Sequence, residues 1–232
     1  MQDEFIATNN SKIPPHHTLT SLSLTQVQFS ANDNYSKVFA HLTLSPLAIT
    51  CGYIAVVLTT RDLTVVIMLA GQLLNECINH VLKRQVKQAR PTEYLGDGYG
   101  MPSSHSQFMS YFATYMVILM YRTGASSGAV SPHVVTTIVL IWSILVIYSR
   151  VHLYYHTWQQ VVAGTICGCT FAIGYYYFVN SFLRSRGMQD WMLDNSFGRW
   201  GYLVERQQMN HVYQWEWEQF QQWRKIHQFD AA

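Results

Sequence analysis

Apolar residues in this chain are gathered into long blocks, and the polar residues collect between them. Val38 to Leu58 is the first block, broken by Pro46 and Gly52, and Leu63 to Leu82 is the second. Ser104 to Tyr121, Val134 to Ser149 and Val161 to Val179 follow. A helix needs about 17 to 25 residues to cross the hydrocarbon core of a bilayer. The third and fourth blocks are slightly short and are expected to extend into their polar flanks. The pattern predicts an all-α, polytopic membrane bundle of about five transmembrane helices. Residues 1–37 read as a polar, irregular N-terminal tail in which Asn9 and Asn34 each open a glycosylation sequon. Residues 38–180 form the transmembrane domain and residues 181–232 an aromatic tail. In that tail Met209, Tyr213, Phe220, Trp223 and His227 recur at helical spacing between charged and Gln residues. This predicts an amphipathic C-terminal helix at the membrane interface, or one that packs on the end of the bundle.

Composition sharpens that picture. Only 12% of the 232 residues are charged and 49% are hydrophobic, against a usual charged fraction of about 25%. The formal net charge of +2 is small and no long basic stretch occurs, so nucleic acid is not an expected partner. Cys51, Cys77, Cys167 and Cys169 lie inside apolar blocks without a C-x-x-C spacing. They read as buried small hydrophobes rather than redox or zinc ligands.

The scarce charges are concentrated at the ends of the blocks. Lys83 precedes Arg90-Pro91 by seven positions; Pro102-Ser103-Ser104-His105 opens the third block; Ser149-Arg150 closes the fourth, with His156 six residues beyond Arg150. Counting crossings puts all three groups on one membrane face, because two spans separate the first group from the last. Together they hold three cations and two histidines. Cations hold a phosphate group, arginine through two parallel hydrogen bonds. The start of a helix offers free N–H groups to an anion. One histidine can attack phosphorus and the other can protonate a leaving oxygen. Each group also has a plainer reading alone. Lys83, Arg84, Lys87 and Arg90 suit a basic flank that anchors a span, and Pro102 to His105 suits a helix start. His152 and His156 are four apart and could share a metal, although Arg150 would repel one. Glu76 within a span could bond His80 or support Lys83. The ordered conjunction on one face favours a phosphate-ester or phosphoanhydride chemistry.

These residues resemble a known family. Lys-x6-Arg-Pro, Pro-Ser-x-His and Ser-Arg-x5-His are similar to the signature of the type 2 phosphatidic acid phosphatase superfamily, over about residues 75–165. Leu74-Asn75-Glu76, the run from Tyr99 to Phe108, and Tyr155-His156-Thr157-Trp158 resemble its dolichyl diphosphate phosphatase branch. The resemblance implies that His156 is the nucleophile, forming a phosphohistidine, and His105 the general acid. Lys83, Arg90, Ser103, Ser104 and Arg150 would bind phosphate, with Ser104 where much of the superfamily has Gly. Neither a metal nor another cofactor is implied. The implied substrate is a polyprenyl (dolichyl) diphosphate, cleaved to dolichyl phosphate and inorganic phosphate. The implied setting is the endoplasmic reticulum membrane with the site facing the lumen, where the lipid carrier of N-glycosylation is recycled. Protein partners stay unknown. One position departs from the superfamily: Gln160 stands where an Asp would orient the nucleophile. An amide oxygen can fix the imidazole tautomer but cannot neutralise its charge. The rival expectations are a phosphatase for phosphatidate or a sphingoid phosphate, and an inactive lipid-phosphate binder.

Overall fold

Apolar sequence at helical length gives helices wherever the blocks predict them. The computed structural model describes residues 19–22, 27–30, 33–92, 98–122, 131–206 and 212–228. The first two pieces are strands β1 (Leu19–Leu22) and β2 (Val27–Ser30), paired antiparallel. The polar tail is therefore not wholly irregular, as the sequence suggested. Short alternating runs of this kind are easily lost beside long apolar blocks. Helix α1 (Asn34–Leu42) follows, capped by the Asp33 carboxylate, which accepts from the Tyr35 N–H. It ends just before Pro46, and α2 (Ser45–Thr60) begins with that proline in its first turn. The first block is thus two helices, joined where a proline tolerates a helix start but not a helix interior.

Four further long helices have clear boundaries. Helix α3 (Leu63–Val86) starts at the Asp62 cap and ends at Lys87, whose φ is 51°. Helix α4 (Ser104–Arg122) follows, and then α5 (Pro132–His152) and α6 (Trp158–Phe178), the last continuing as a π-helical turn to Arg184. The stretches Asn34–Thr60, Leu63–Val86, Pro132–His152 and Trp158–Arg184 are long and apolar enough to cross a membrane. The protein is a multi-pass membrane helical bundle. Helix α4 is more polar because it runs through the middle, with its helical faces covered by α3, α5 and α6. At 1.5 Å per residue it is about 28 Å long, close to the hydrocarbon thickness.

Small residues let α4 and α6 approach closely. A Cβ at Gly164 would run into the Ser103 carbonyl, and one at Gly168 into the Gln107 carbonyl. This four-residue spacing of small residues is how helices touch in lipid, where the hydrophobic effect no longer drives them together. Helices α3 and α4 are clamped differently, by amides. Asn79 Nδ2 donates to Gln107 Oε1 at 2.8 Å, and Gln107 Nε2 donates to Asn75 Oδ1 at 2.9 Å. All three side chains are fully buried. Asn79 Nδ2 also reaches the Pro102 carbonyl at 3.4 Å, holding the segment that leads into α4. The odd polar residues of the second block are thereby explained, except Glu76: His80 donates to the main-chain carbonyl of Glu76, not to its carboxylate.

At the opposite end of the bundle, Val204 bridges to Asp62. Glu205 accepts from Thr64 Oγ1 at 2.8 Å and pairs with Arg184 at 3.5 Å. Short helices α7 (Met188–Asp194) and α8 (Ser196–Trp200) lead to this joint, and α9 (Val212–Gln228) follows it. Helix α9 leaves Trp215, Trp217, Phe220 and Trp223 exposed. Met209 lies outside the described residues, as does Asn9. Asn34 is exposed, but Ser36 of its sequon is buried, its hydroxyl donating to Asp33 at 2.6 Å.

Candidate active site

Four helix ends and two connections converge at the end of the bundle away from the tail. Lys83 lies in the last turn of α3 and its Nζ donates to Ser104 Oγ, in the first turn of α4, at 2.6 Å. Lys87 takes the left-handed conformation and ends that helix, so Arg90 sits beyond it rather than on its face. The Pro91 that follows is the local reason, since it disfavours helix at the residue before it. Arg150 lies in the last turn of α5, only 4% exposed, with its guanidinium 4.2 Å from the centre of the Tyr155 ring. That stacking orients a cation where burial would otherwise cost most.

The nucleophile candidate is strapped to the same turn. The Tyr155 and His156 N–H groups both donate to the Arg150 carbonyl at 3.1 Å. Tyr154 makes the reversal with φ of 60°, an uncommon conformation for a residue with a side chain. Its carbonyl accepts from Thr92 Oγ1 at 3.1 Å, which ties in the segment after Arg90. Thr157 then caps α6 in a reciprocal box with Gln160.

Gln160 is the hub of the site and is fully buried. Its Oε1 accepts from His156 Nδ1 at 3.1 Å and from the Thr157 N–H at 3.3 Å. Its Nε2 donates to the Ala89 carbonyl at 2.8 Å and to Gln88 Oε1 at 3.4 Å. A main-chain donor on one side and a main-chain acceptor on the other fix which end of the amide is oxygen. His156 therefore carries its proton on Nδ1, and the Nε2 lone pair is free for attack. The Gln160 carbonyl accepts from the Ser103 N–H at 3.0 Å. That N–H is thus committed, not open to an anion as the helix-start reading expected. Gly100 passes so close that a Cβ there would strike the Gln160 amide.

His105 is held from the other side. Its Nε2–H donates to the Thr43 carbonyl at 3.1 Å. This leaves Nδ1 as the nitrogen available for proton transfer. Sequence reasoning missed Thr43, because a carbonyl has no side-chain signature; the break before Pro46 was its only trace. Ser103 is buried and its Oγ accepts from Ser106 at 3.0 Å. His152 turns away from His156: its Nε2 lies 3.1 Å from Asp33 Oδ2 and 3.3 Å from Ser36 Oγ. The two histidines four apart do not form a pair, and among the described residues no group of three metal-type donors occurs.

Burial pushes the His156 imidazole far below its usual range, to about 3, with Arg150, Arg90 and Lys83 adding to the shift and the Gln160 bond opposing it. The neutral form is favoured in the folded state. Between pH 6.5 and about 3 the unfolded chain binds the extra proton and the folded one does not. The stability from this group is therefore full above pH 6.5 and lost as pH falls. A His156→Gln variant, titrated in detergent by thermal unfolding, should lose stability less steeply than wild type, by up to about 1.4 kcal/mol per pH unit. Parallel slopes would show that His156 is not shielded.

Arg150, Arg90 and Lys83 act together on a neutral imidazole at one end of a membrane helical bundle, an arrangement able to hold a phosphate group. The PAP2 superfamily model matches residues 64–184. The chain belongs to the PAP2 superfamily. Among its relatives are dolichyldiphosphatase 1 of Dictyostelium discoideum, 34% identical over 86% of this chain and 88% of that one. Dolichyldiphosphatase 1 of Homo sapiens is 36% identical over 70% and 72%. Dolichyldiphosphatase of Saccharomyces cerevisiae is 29% identical over 83% and 84%. No solved structure matches the chain.

Proposed function

We propose that this protein is a dolichyl diphosphate phosphatase that works through a phosphohistidine. The observation that carries the mechanism is the His156–Gln160 bond, which leaves Nε2 unprotonated beside Arg90, Arg150 and Lys83. Nε2 attacks the terminal phosphorus, and the bond from that phosphorus to the bridging oxygen breaks. His105 delivers a proton to the departing dolichyl phosphate. Water then attacks the phosphohistidine, giving up its proton to His105, and inorganic phosphate leaves. Lys83, Arg90, Arg150, Ser103 and Ser104 hold the phosphate oxygens, as such a transfer requires. The relatives' names support the substrate.

In this reading the bundle lies in the endoplasmic reticulum membrane with the site toward the lumen. With five crossings the N-terminus is also lumenal, and the 181–232 tail rests its aromatic face on the cytosolic surface. Phosphate release from dolichyl diphosphate, phosphatidate and a sphingoid phosphate by protein in detergent tests the assignment. Turnover of dolichyl diphosphate should exceed the others. A preference for phosphatidate would replace the substrate, and no turnover of any lipid would favour an inactive binder.

A further inference from the structure

One joint of the bundle is looser than the others. Around α4, the other spans pack in sequence: α2 on α3, α3 on α6, α6 on α5. Helices α5 and α2 approach less closely than these pairs and meet through Trp142 and Ser45 and through Ile49 against the cluster that holds Val146, while the short α1 rests on α5 at the site end. The floor of that seam is apolar. Phe108 and Met109 of α4 and Val146 of α5 form a buried cluster, with Leu42, Ile49 and Ile147 against it. Its place is informative. Phe108 and Met109 lie one turn beyond His105, and Val146 and Ile147 one turn before Arg150, so the apolar floor begins where the phosphate site ends.

The other joints at the site end are closed. The Ser103 N–H bonds the Gln160 carbonyl between α4 and α6, and Asn79 bonds the Pro102 carbonyl at the α3–α4 joint. Across the seam, Trp142 Nε1 donates to Ser45 Oγ at 2.8 Å. Below that bond Ser45, Ile49, Gly52 and Val56 share one face of α2. A side chain added at Gly52 would meet nothing within 4 Å. The stripe from Ser45 to Val56 is about 17 Å long at 1.5 Å per residue.

We propose that this seam holds the first part of the substrate's prenyl chain, with Trp142 as its outer wall and Gly52 leaving it width. The inference rests on the phosphatase reading above and adds the path of the lipid. Bilayer tails are as apolar as the seam, so lining it with Phe, Met and Val gains little hydrophobic energy. What the seam supplies is direction. It fixes the chain as it leaves the diphosphate, so that phosphorus is aligned with His156. A small misplacement there is costly in rate.

The test uses the full-length protein in detergent. Gly52→Trp adds bulk to the seam at a position where a Cβ meets nothing within 4 Å, and Ile166→Trp places the same bulk on the exposed face of α6. Two substrates are compared: a long-chain polyprenyl diphosphate, and isopentenyl diphosphate, whose chain is too short to reach Gly52. Gly52→Trp should lower kcat/KM for the long chain at least about tenfold and leave the short one unchanged, while Ile166→Trp should change neither. Equal losses on both substrates, or none, would overturn the groove. Occupancy is read without turnover by photolabelling with a diazirine-bearing polyprenyl phosphate. Label on residues 45–56 and 132–147 that Gly52→Trp removes supports the groove even if the phosphatase assay fails. Label spread evenly over α3 and α6 overturns it.

Discussion

His156→Ala should abolish turnover, with a loss on the order of 10⁴-fold or more, the scale seen when a covalent nucleophile is deleted. Radiolabel from the terminal phosphate should become trapped on the wild-type protein after quenching and not on the variant. His105→Ala should cost far less. A general acid contributes about 10²- to 10⁴-fold, and the lower figure applies here. The departing dolichyl phosphate is a weakly basic oxygen that needs little help to leave. A strong chelator should leave wild-type activity unchanged, because in the proposed mechanism Lys83, Arg90 and Arg150 carry the charge-neutralising role. Equal losses at His156 and His105 with no trapped phosphate would indicate direct attack by water. Activity lost to chelator and restored by a divalent cation would replace the mechanism altogether.

The site was legible in the sequence because its chemistry is carried by side chains that are expensive in a membrane. Lys83, Arg90, Arg150 and two histidines at block ends have few uses in so apolar a chain. The crossing count placed them on one face, and in the structure Lys83 meets Ser104, Gln160 meets His156 and the Ala89 carbonyl, and the His156 N–H meets the Arg150 carbonyl. The single orienting contact foreseen from the spacing, Gln160 to His156, is present. The long apolar helices were legible from hydropathy, but α4 was visible only as a shorter block, since its burial inside the bundle relieves it of the need to be apolar.

What stayed hidden is what main-chain groups do. Nothing in the residue string marks the Thr43 carbonyl as the partner of His105, or the Ala89 carbonyl as the partner of Gln160. The cover formed by β2 and α1 was hidden for a related reason. It is held by contacts far apart in sequence, Asp33 to His152 and the Gln28 N–H to Tyr155 Oη at 2.8 Å. A polar tail gives no periodic signal for such contacts. The hairpin and α1 pack Val27, Phe29 and Phe39 around Ala40, Leu153 and Tyr155, so the N-terminal segment helps seat the loop that carries His156.

Gln160→Ala should slow kcat by about 10- to 100-fold, the usual cost of losing the partner that orients a histidine. KM should move much less, because the phosphate-binding cations remain. Gln160→Asp separates two roles that the superfamily's usual carboxylate would combine. An aspartate is one methylene shorter and has no N–H to offer the Ala89 carbonyl, now held at 2.8 Å. Two acceptors would then face each other in a buried place, which costs about 1 to 3 kcal/mol. The same carboxylate would favour the imidazolium and raise the His156 pKa from about 3. The aspartate variant should therefore be less stable than wild type and should show an acid limb in kcat/KM that the wild-type histidine does not contribute. Gln160→Glu keeps the reach and isolates the charge, so it should show the same acid limb with the longer side chain. The neutral amide suits this site because its oxygen holds His156 while its nitrogen holds the Arg90 segment. Full activity in Gln160→Ala would mean that another group orients the nucleophile. Full activity and wild-type stability in Gln160→Asp would mean that the bond to Ala89 does nothing for the site.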